Sequence, residues 1–534
     1  MDEGFDYIVV GAGSAGCVLA NRLSADPRNR VLVLESGGKD DWIWFHIPVG
    51  YLFSIGNPRA DWMFETDPIP GLDGRSLKYP RGRVIGGSSA INAMIYMRGQ
   101  AADYDGWRQM GLAGWGWDDV LPLFLAQEDH IAPPSDLHRS GGEWRVEHPR
   151  MRWEVLDAFG EAAALEGIAP VADFNGGDNS GAGYFQVNQR AGRRWSAAAG
   201  FLKPVLGRPN LKLVTGAGVT RVLIEDGRAV GVAYTANGHM HEARAGEVVL
   251  AAGAVNTPHL LELSGIGDGA RLQALGLPVV RHAPGVGENL QDHLQIRPYY
   301  GVRGVRTMND LYASWWRRPL MALEYAAFRK GPMSMAPSQF GAFARSSPEQ
   351  ATPNLQFHVQ PLSLDRFGDP LHAFPAITIS VCNLRPTSRG QIHATSPHPA
   401  DKPSIQPNYL STREDERVAV DAMRLVRRIV ARPPLARFHP EEFRPGAGAQ
   451  SDAELLAAAR TLGTTIFHPA GTAKMGLASD PLAVVDERLR VFGVERLRIA
   501  DASVMPAITS GNTNSPTMMI AEKASRMILE DARA

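Results

Sequence analysis

The sequence predicts an α/β fold with two parts: a Rossmann-like sheet that binds a nucleotide, and a largely antiparallel sheet flanked by helices. Three observations lead to this prediction. A glycine-rich loop joins a strand to a helix near the start, two further strand–helix signals lie far downstream, and alternating apolar and polar residues recur between them. At 534 residues, the chain is longer than one ordinary domain and can bury a large core.

The first element is a strand–helix–strand unit at residues 6–35. Asp6–Val10 and Val31–Glu35 have the continuous apolar character of strands buried on both faces, and the loop Gly11–Gly16 follows the first strand. Such a loop brings backbone N–H groups and the positive end of a helix close to a pyrophosphate. Glu35 follows the third glycine by 19 residues, near the offset of roughly 20 at which an acidic side chain meets a ribose hydroxyl. The unit predicts a dinucleotide site and by itself suits NAD as well as FAD.

A second loop of small residues, Gly86–Ser89, leads into Asn92. Glycine and serine have small side chains that leave the backbone accessible to a large ligand. A nicotinamide-binding fold needs no second loop of such small residues so soon after the first. The second loop therefore favours FAD over NAD, with an ordinary tight connection as the alternative.

Two later segments are predicted to return to the nucleotide-binding sheet. Glu247–Ala254 indicates a buried strand followed by a helix that begins near Pro258. Leu497–Ala502 indicates another strand, followed by a helix over Thr517–Leu529. The sheet is therefore expected to be assembled from discontinuous segments.

The region between residues 305 and 455 has a different pattern. Leu355–Val359 and Ala376–Val381 alternate apolar and polar residues, which is typical of antiparallel strands with one face in contact with water. We expect these strands to form a roof over the cofactor.

Composition excludes several classes of function. The 55 basic and 56 acidic residues give a net charge of -1, so no nucleic-acid partner is expected. Only two cysteines occur, Cys17 in a predicted helix and Cys382 in a predicted strand, which excludes a disulfide framework or a cysteine zinc site; we predict a reducing compartment and no metal. The acidic start, Met1–Gly4, is unlike a secretory leader, and no apolar run reaches the roughly 18 residues of a spanning helix. A cytoplasmic location is expected.

One segment has the composition of a membrane-surface segment, which bears on the expected cytoplasmic location. Trp315–Leu320 and Phe328–Lys330 mix aromatic and basic residues, as segments at a membrane surface do. A partly buried helix with solvated arginines is the preferred interpretation, and peripheral contact with the inner membrane is the alternative.

Two C-terminal residues are candidates for proton chemistry. His468 is followed by proline and glycine, which indicates a fixed loop, and a histidine with a pKa near 6.5 can accept a proton at neutral pH. Asn512 lies in Ser510–Thr517, which is typical of a helix start with polar capping residues and a proline in the first turn. The carboxamide could hold a substrate oxygen beside His468, and the helix N-terminus would favour an anionic reduced flavin. A structural histidine and a simple capping asparagine are the alternatives.

Taken together, these motifs resemble the glucose-methanol-choline (GMC) oxidoreductases, FAD enzymes that oxidise alcohols. The resemblance runs from Asp6 to about Leu529. The blocks that carry it, in chain order, are Asp6–Gly16, Pro80–Asn92, Gly253–Pro258, Leu263–Gly267, Gly285–His293, and the two C-terminal blocks that contain His468 and Asn512.

The resemblance implies roles for individual residues. It makes His468 the active-site base and Asn512 its partner. The residues implied to hold FAD are Gly11, Gly13, Ser14, Ala15, Gly16, Glu35, Arg83, Val84, Gly87, Ser88, Asn92, Ala93, Met94, Ile95, Val219, Asp501, Ala502, Asn512 and Thr513. Trp62 and Phe467 are the candidates for contact with the substrate.

The resemblance also predicts non-covalent FAD, a substrate and an acceptor. Some relatives carry a flavin-linking histidine immediately before the asparagine of the second loop, where this chain has Ile91, which cannot form that bond. The expected reaction oxidises a primary alcohol (aliphatic, aromatic or polymeric) to the aldehyde by hydride transfer to flavin N5, with O2 or a quinone-like carrier as electron acceptor. Choline is the alternative substrate, although no carboxylate for its quaternary ammonium is identified. A non-catalytic or light-driven flavoprotein is an alternative that the His468 and Asn512 pair disfavours.

The domain organisation follows from these assignments. Residues 1–155, 195–304 and 456–534 are predicted to form a discontinuous FAD-binding domain. Residues 156–194 and 305–455 are predicted to form the substrate-binding domain. The sequence does not indicate an oligomeric state.

Overall fold

The computed structural model describes residues 4–365 and 369–533, so the acidic start at Met1–Glu3 lies outside the described residues. The predicted α/β fold is confirmed: two large sheets are flanked by helices. The α-helices are Ser14–Leu23, Tyr51–Ser54, Ala101–Gln109, Trp117–Gln127, Glu154–Leu165, Gly253–Leu263, Gly269–Ala274, Met308–Ala313, Arg317–Phe328, Arg413–Val430, Pro433–Ala436, Asp452–Leu462 and Asn514–Asp531. None of these described helices is long and apolar enough to cross a bilayer.

The first sheet is the predicted nucleotide-binding sheet. Its strands, in spatial order, are Leu211–Thr215, Val31–Glu35, Phe5–Val10, His239–Leu250, Arg228–Ala236 and Gly218–Glu225, and Leu497–Ile499 also pairs with His239–Leu250. The first four strands and Leu497–Ile499 pair in parallel, whereas the last two form an antiparallel extension. Helices Ser14–Leu23 and Asn514–Asp531 pack together against this sheet in one apolar core. The two ends of the chain therefore meet beside the first glycine loop.

The second sheet is antiparallel in every pairing between its described strands. Its order is Glu441–Arg444, Tyr299–Gly301, Ala376–Asn383, Leu355–Gln360, Phe340–Ala344 and Gly181–Tyr184; Leu294–Ile296 joins Ala376–Asn383 to Gly463–Thr465. Several of these strands come from stretches assigned above to the FAD-binding domain, and the domain boundaries stay a prediction. Shorter two-stranded pairs are Glu128–His130 with Trp144–Val146, Gln189–Arg190 with Arg193–Arg194, Ile266–Gly267 with Arg281–His282, and Gln391–His393 with Ser404–Gln406.

The expectation that the second sheet has one wet face is wrong. Leu355–Gln360 is buried at every residue, and Ala376–Asn383 is buried at all but its last. Its apolar face packs on the amphipathic helix Arg413–Val430, and Thr412 caps that helix by accepting a hydrogen bond from the Asp415 N–H. The polar face is covered as well, because it lines the interior site described below.

A second correction concerns the helix expected to begin near Pro258, which begins at Gly253. Asp501 explains the earlier start, because its carboxylate accepts hydrogen bonds from the Gly253 N–H (2.8 Å) and the Thr257 hydroxyl (2.6 Å). An acceptor at this position satisfies donors that the first helical turn leaves unpaired.

Candidate active site

One cavity of about 1490 Å³ runs from the first glycine loop to His468. Sites for drug-sized ligands are typically about 300–1,000 Å³, so this cavity has room for a larger cofactor together with a small substrate. Strands of both sheets and the segment before the C-terminal helix contribute to its wall.

Nearly all of the predicted site residues line this cavity. Those on its wall are Gly11, Gly13, Ser14, Ala15, Glu35, Trp62, Arg83, Gly87, Ser88, Asn92, Ala93, Met94, Ile95, Val219, Phe467, His468, Asp501, Ala502, Asn512 and Thr513. Gly16 and Val84 lie behind the wall. A Cβ at Gly16 would lie 1.8 Å from the Gly11 carbonyl oxygen, so this glycine permits close packing of helix against loop.

The first glycine loop presents backbone to the cavity. Helix Ser14–Leu23 follows it directly, and among the described residues no side chain caps this helix and no acid lies in its first turn. Its first N–H groups therefore retain the capacity to bind an anion. Glu35 supports the loop by accepting hydrogen bonds from the N–H groups of Ala12 (2.8 Å) and Gly37 (2.7 Å), and burial raises its pKa to about 7.

The second glycine loop lies directly against the first. Gly87 has a positive φ of 52°, and a Cβ there would lie 2.7 Å from the Gly13 Cα. Asn92 accepts hydrogen bonds through Oδ1 from the Met94 N–H (2.9 Å) and from Arg194 (2.9 Å). The two loops form a cradle that any side chain larger than hydrogen at Gly87 would partly fill.

At the other end of the cavity, Asp292 fixes the loop that carries His468. The Asp292 carboxylate accepts hydrogen bonds from the backbone N–H groups of His468 (2.8 Å) and His293 (2.9 Å). It also accepts hydrogen bonds from the hydroxyls of Tyr79, Thr465 and Tyr409. Phe467, beside His468, has a φ of 71°, which costs about 1 kcal/mol or more for any residue except glycine. The hydrogen bonds of Asp292 to the neighbouring residues help to hold the loop in this conformation.

His293 fixes the position of the proton on the His468 ring. Its Nε2 lies 3.2 Å from the Leu384 carbonyl oxygen, which can only accept, so this nitrogen carries a proton. Burial lowers the pKa of His293 to about 4, so the ring is neutral and its Nδ1 must be an acceptor. His468 Nδ1 lies 3.1 Å from that acceptor and therefore carries the proton. The remaining nitrogen, His468 Nε2, is left with a free lone pair.

Asn512 meets this free lone pair. Its Nδ2 lies 3.1 Å from His468 Nε2, and its Oδ1 accepts a hydrogen bond from Gln356 Nε2 at 3.3 Å. The Gln356 contact orients the carboxamide with its N–H group toward the imidazole. Burial, with His293 as the next contribution, lowers the pKa of His468 well below its ordinary value, so the imidazole is neutral at pH 7.

Asn512 also lies just before the C-terminal helix, which begins at Asn514 with Pro516 in its first turn, as the sequence predicted. The expected side-chain cap is absent from the described residues of this helix. Instead, the Asn514 carboxamide accepts a hydrogen bond from the Ser14 hydroxyl (2.6 Å) in the first glycine loop. This contact brings the helix start to the nucleotide end of the cavity.

Several residues of the site were not predicted from the sequence. Asp292, His293, Gln356 and His358 approach His468 or Asn512 from the second sheet and its connections. His293 ends a block that the family resemblance includes, which was the available signal. Gln356 and His358 are the polar positions of the alternating strand that was expected to face water.

The wall near His468 is polar and includes the Arg81 guanidinium, which donates a hydrogen bond to the Phe467 carbonyl oxygen at 2.6 Å. His358 Nε2 and Gln360 Oε1 are buried and have no hydrogen-bond partner among the described residues, although both side chains line the cavity. Gln360 Nε2 donates to Ser338 at 3.0 Å. Buried polar atoms ordinarily have partners, so these two indicate contact with a bound polar group. On the same cavity wall, the Arg83 guanidinium lies 5.0 Å from the centre of the Trp62 ring.

Two family models, both described as GMC oxidoreductase, match residues 5–295 and 386–521 of the chain. An alcohol dehydrogenase [acceptor] of Pseudomonas putida is 43% identical over 531 residues, with 98% of this chain and 96% of that protein covered. A mitochondrial choline dehydrogenase of Homo sapiens is 43% identical over 533 residues, with 98% of this chain and 89% of that protein covered.

The fold also matches solved structures. An FAD-dependent oxidoreductase from Chaetomium thermophilum superposes with a TM-score of 0.91 at 26% identity, with 99% of this chain and 100% of that chain covered. GMC oxidoreductases bind FAD, and the cavity fits this cofactor through its volume, its uncapped helix N-terminus and its paired glycine loops.

Proposed function

The chain belongs to the GMC oxidoreductase family, an FAD-dependent family that acts on CH–OH groups, and from that premise we propose that it oxidises an uncharged primary alcohol to the aldehyde. The observation that carries the proposal is the hydrogen-bond chain from the Leu384 carbonyl through His293 and His468 to Asn512. This chain leaves an unprotonated imidazole nitrogen at the wall of the cofactor cavity.

FAD, when bound, supplies the acceptor for the hydride at flavin N5. We assign its pyrophosphate and ribose to the first glycine loop and Glu35, and its adenine side to Val219. Its flavin end is assigned to Asn92–Ile95, Asp501, Ala502, Asn512 and Thr513. Ile91 lines the cavity immediately before Asn92 and cannot form a covalent bond to a flavin. We therefore expect acid precipitation to release the yellow cofactor into the supernatant.

In the proposed proton step, the alcohol hydroxyl replaces the Asn512 N–H group as the donor to His468 Nε2. The imidazole then accepts the hydroxyl proton, while the Asn512 N–H group donates to the alcohol oxygen and stabilises its developing negative charge. His468 and Asn512 are buried, with 7% and 9% of their surfaces exposed, so little water competes for these contacts.

Two features support an uncharged substrate. The acidic residues on the cavity wall are Glu35, Glu225, Glu242, Asp401 and Asp501, and among the described contacts none is hydrogen-bonded to His468, Asn512 or Gln356. The Trp62 ring already carries the Arg83 guanidinium, which would repel an ammonium ion from that aromatic surface. A quaternary ammonium would thus lack both an anion and a free aromatic face at Trp62.

Choline is the second candidate, and the 43% identity to a choline dehydrogenase is the observation that favours it. The electron acceptor is proposed to be O2 or a quinone-like carrier. Peroxide formed per alcohol consumed separates these acceptors, because only reoxidation by O2 produces peroxide.

The experiment that tests the proposal is anaerobic addition of alcohols to the purified flavoprotein in the dark. Uncharged primary alcohols should bleach the flavin colour, and choline should bleach it more slowly or not at all. His468→Ala should slow bleaching by about 10²-fold or more while it retains bound FAD, because a positioned base contributes about that factor. The exposed His148 provides a matched control, since His148→Ala should bleach at the wild-type rate. An unchanged rate in His468→Ala would remove this residue from the role of base.

A further inference from the structure

The helix Arg317–Phe328 and the residues just before it expose an unusual amount of apolar surface. Trp315 is 80% exposed, Phe328 is 68% exposed, and Trp316, Leu320 and Leu323 are each at least half exposed. Within the helix, only Tyr325 is buried. The helix is partly buried through Tyr325, as the sequence-based interpretation expects, but most of its apolar side chains are exposed. Contiguous apolar surface of this kind marks an interaction site on a folded protein.

A neighbouring segment extends this surface. Tyr325 packs in one apolar cluster with Ile47, Val49 and Tyr51, and its hydroxyl donates to the Gly192 carbonyl oxygen. Residues 43–53, which include Ile47 and Tyr51, also carry three exposed apolar side chains, those of Ile43, Leu52 and Phe53. We call the exposed residues Ile43, Leu52, Phe53, Trp315, Trp316, Leu320, Leu323 and Phe328 the apolar patch.

Basic residues flank the helical part of the patch, whereas the Ile43–Phe53 part follows Lys39 and two acids, Asp40 and Asp41, which pair with Lys203 and Arg59. Between Tyr312 and Lys330 the chain has four basic residues, Arg317, Arg318, Arg329 and Lys330, and one acidic residue, Glu324, a net charge of +3. Arg317 and Arg318 lie over the rings of Trp316 (4.9 Å) and Tyr312 (4.1 Å). Aromatic and aliphatic residues beside arginine and lysine are the composition of helices that lie in the interface of an anionic bilayer.

A second copy of the chain fits this surface less well. In a symmetric dimer the same patch would face itself, and the two helical parts, each with a net charge of +3, would repel each other. Anionic lipid headgroups instead supply the opposite charge, while the acyl chains accept the tryptophan and leucine side chains.

We propose that the apolar patch docks the protein onto the surface of an anionic lipid bilayer, with Arg317–Phe328 lying in the plane of the interface. The patch is adjacent to the candidate active site, because Tyr51 and Ile55 belong to the cluster around Tyr325 and also line the cofactor cavity. Docking places this wall of the cavity next to the membrane, where lipid-soluble alcohols and electron carriers concentrate. The inference does not depend on the identity of the substrate.

Vesicle sedimentation of the holoenzyme tests the proposal. The protein should pellet with vesicles of phosphatidylcholine and phosphatidylglycerol at low salt, but much less with phosphatidylcholine alone or at high salt. Trp315→Ser with Trp316→Ser, and separately Arg317→Gln with Arg318→Gln, should each lower the partition coefficient by about tenfold or more. Met110→Ser with Leu165→Ser is the control, because these side chains are similarly exposed but lie outside the patch.

All these variants should oxidise a water-soluble alcohol with a water-soluble acceptor at the wild-type rate, which shows that they are folded. The proposal is overturned if the wild-type protein does not bind anionic vesicles, or if both helix variants bind as the wild type does. It is also overturned if the lipid-free protein is a dimer that the tryptophan substitutions convert to a monomer, because a second copy would then cover the patch.

Discussion

His468 can act as a base only while its cavity-facing nitrogen lacks a proton, and His293 secures that state from behind the site. His293 Nε2 donates a hydrogen bond to the Leu384 carbonyl oxygen, so His293 Nδ1 is unprotonated. His293 Nδ1 therefore accepts a hydrogen bond from the N–H group at His468 Nδ1. Asp292 holds the backbones of both histidines at the required separation. His293 and Asp292 are therefore positioning residues, whereas His468 and Asn512 are proposed to touch the substrate.

Substitution of His293 tests this proton arrangement. Glutamine can accept a hydrogen bond from His468 and donate one to the Leu384 carbonyl oxygen, whereas leucine can do neither. His293→Leu should lower kcat by about 10²-fold with little change in FAD content, and His293→Gln should recover much of that loss. Steady-state kinetics with a flavin absorbance spectrum of each variant provides the measurement. Equal kcat values for His293→Leu and the wild type would show that the contact has no role in positioning.

His138 makes a second residue-level prediction, about stability. Its Nε2 lies 2.6 Å from Asp173 Oδ2 and its Nδ1 lies 3.1 Å from Glu128 Oε2. Burial disfavours the charged ring, but these carboxylates outweigh burial and raise the pKa of His138 to about 9. Because the unfolded pKa is near 6.5, this stabilisation is present in full below pH 6.5 and is lost as the pH rises through 9.

His138→Gln should therefore lower the free energy of unfolding by on the order of 2 kcal/mol at pH 6, and by less at pH 10. Urea unfolding at the two pH values measures this difference, with the exposed His148→Gln as a control that should change neither value. A destabilisation that does not depend on pH would show that folding does not raise the pKa of His138.

The residues of the site differ in how far the sequence reveals them. His468 directly precedes Pro469, and Asn512 lies four residues before Pro516, and the family blocks reinforce these local signals. His293 lies in a family block but has no local signal of its role, and Gln356 has neither, because their roles depend on partners 175 and 156 positions away.

At the level of elements, the two glycine loops act as one cradle. Gly87 and Gly13 approach so closely that a methyl group at Gly87 would contact the Gly13 Cα at 2.7 Å, and the positive φ of Gly87 adds strain for any other residue. The small residues of both loops are thus required by their mutual contact as well as by the cofactor.

Gly87→Ala should therefore purify with much less FAD than the wild type, at least tenfold less after gel filtration, because the displaced loops no longer form the cradle. The ratio of flavin to protein absorbance measures the loss. Gly106 is the matched control, since it lies inside helix Ala101–Gln109 with open space around it. Gly106→Ala should retain FAD fully and gain about 0.5–1 kcal/mol of stability. Full FAD content in Gly87→Ala would contradict the role of close loop contact.

The sequence predicts the elements better than it predicts their surroundings. Continuous apolar runs correctly locate the strand Val31–Glu35 and the buried end, Glu247–Leu250, of the strand His239–Leu250, because parallel strands are buried on both faces. The mostly exposed start of the second strand has no apolar run and is not predicted. The alternating strand Leu355–Gln360 was also located correctly, but a period of two cannot show what covers the polar face. The alternation predicts contact with water for Gln356 and His358, but these side chains face the interior of the site, where His358 lines the cavity and Gln356 donates to Asn512.

At the scale of the whole molecule, the site exists only because distant stretches of chain converge. The Ser14 hydroxyl donates to Asn514 across 500 positions of sequence, and the helices that follow these residues pack against each other. The order of the parallel strands and the contact between the N-terminal and C-terminal helices depend on such long-range packing, so local patterns alone cannot predict them. The order of the family blocks along the sequence supplies that information, and the predicted fold class is confirmed.

The same convergence gives the central claim its most direct test, a crystal structure of the yellow protein with an unreactive alcohol analogue. We expect the isoalloxazine in the cavity, with His468 Nε2 and Asn512 Nδ2 both within hydrogen-bonding distance of the analogue's hydroxyl, beside the reactive edge of the ring. A structure in which either side chain faces away from that edge, or in which the cavity holds no flavin, would contradict the account.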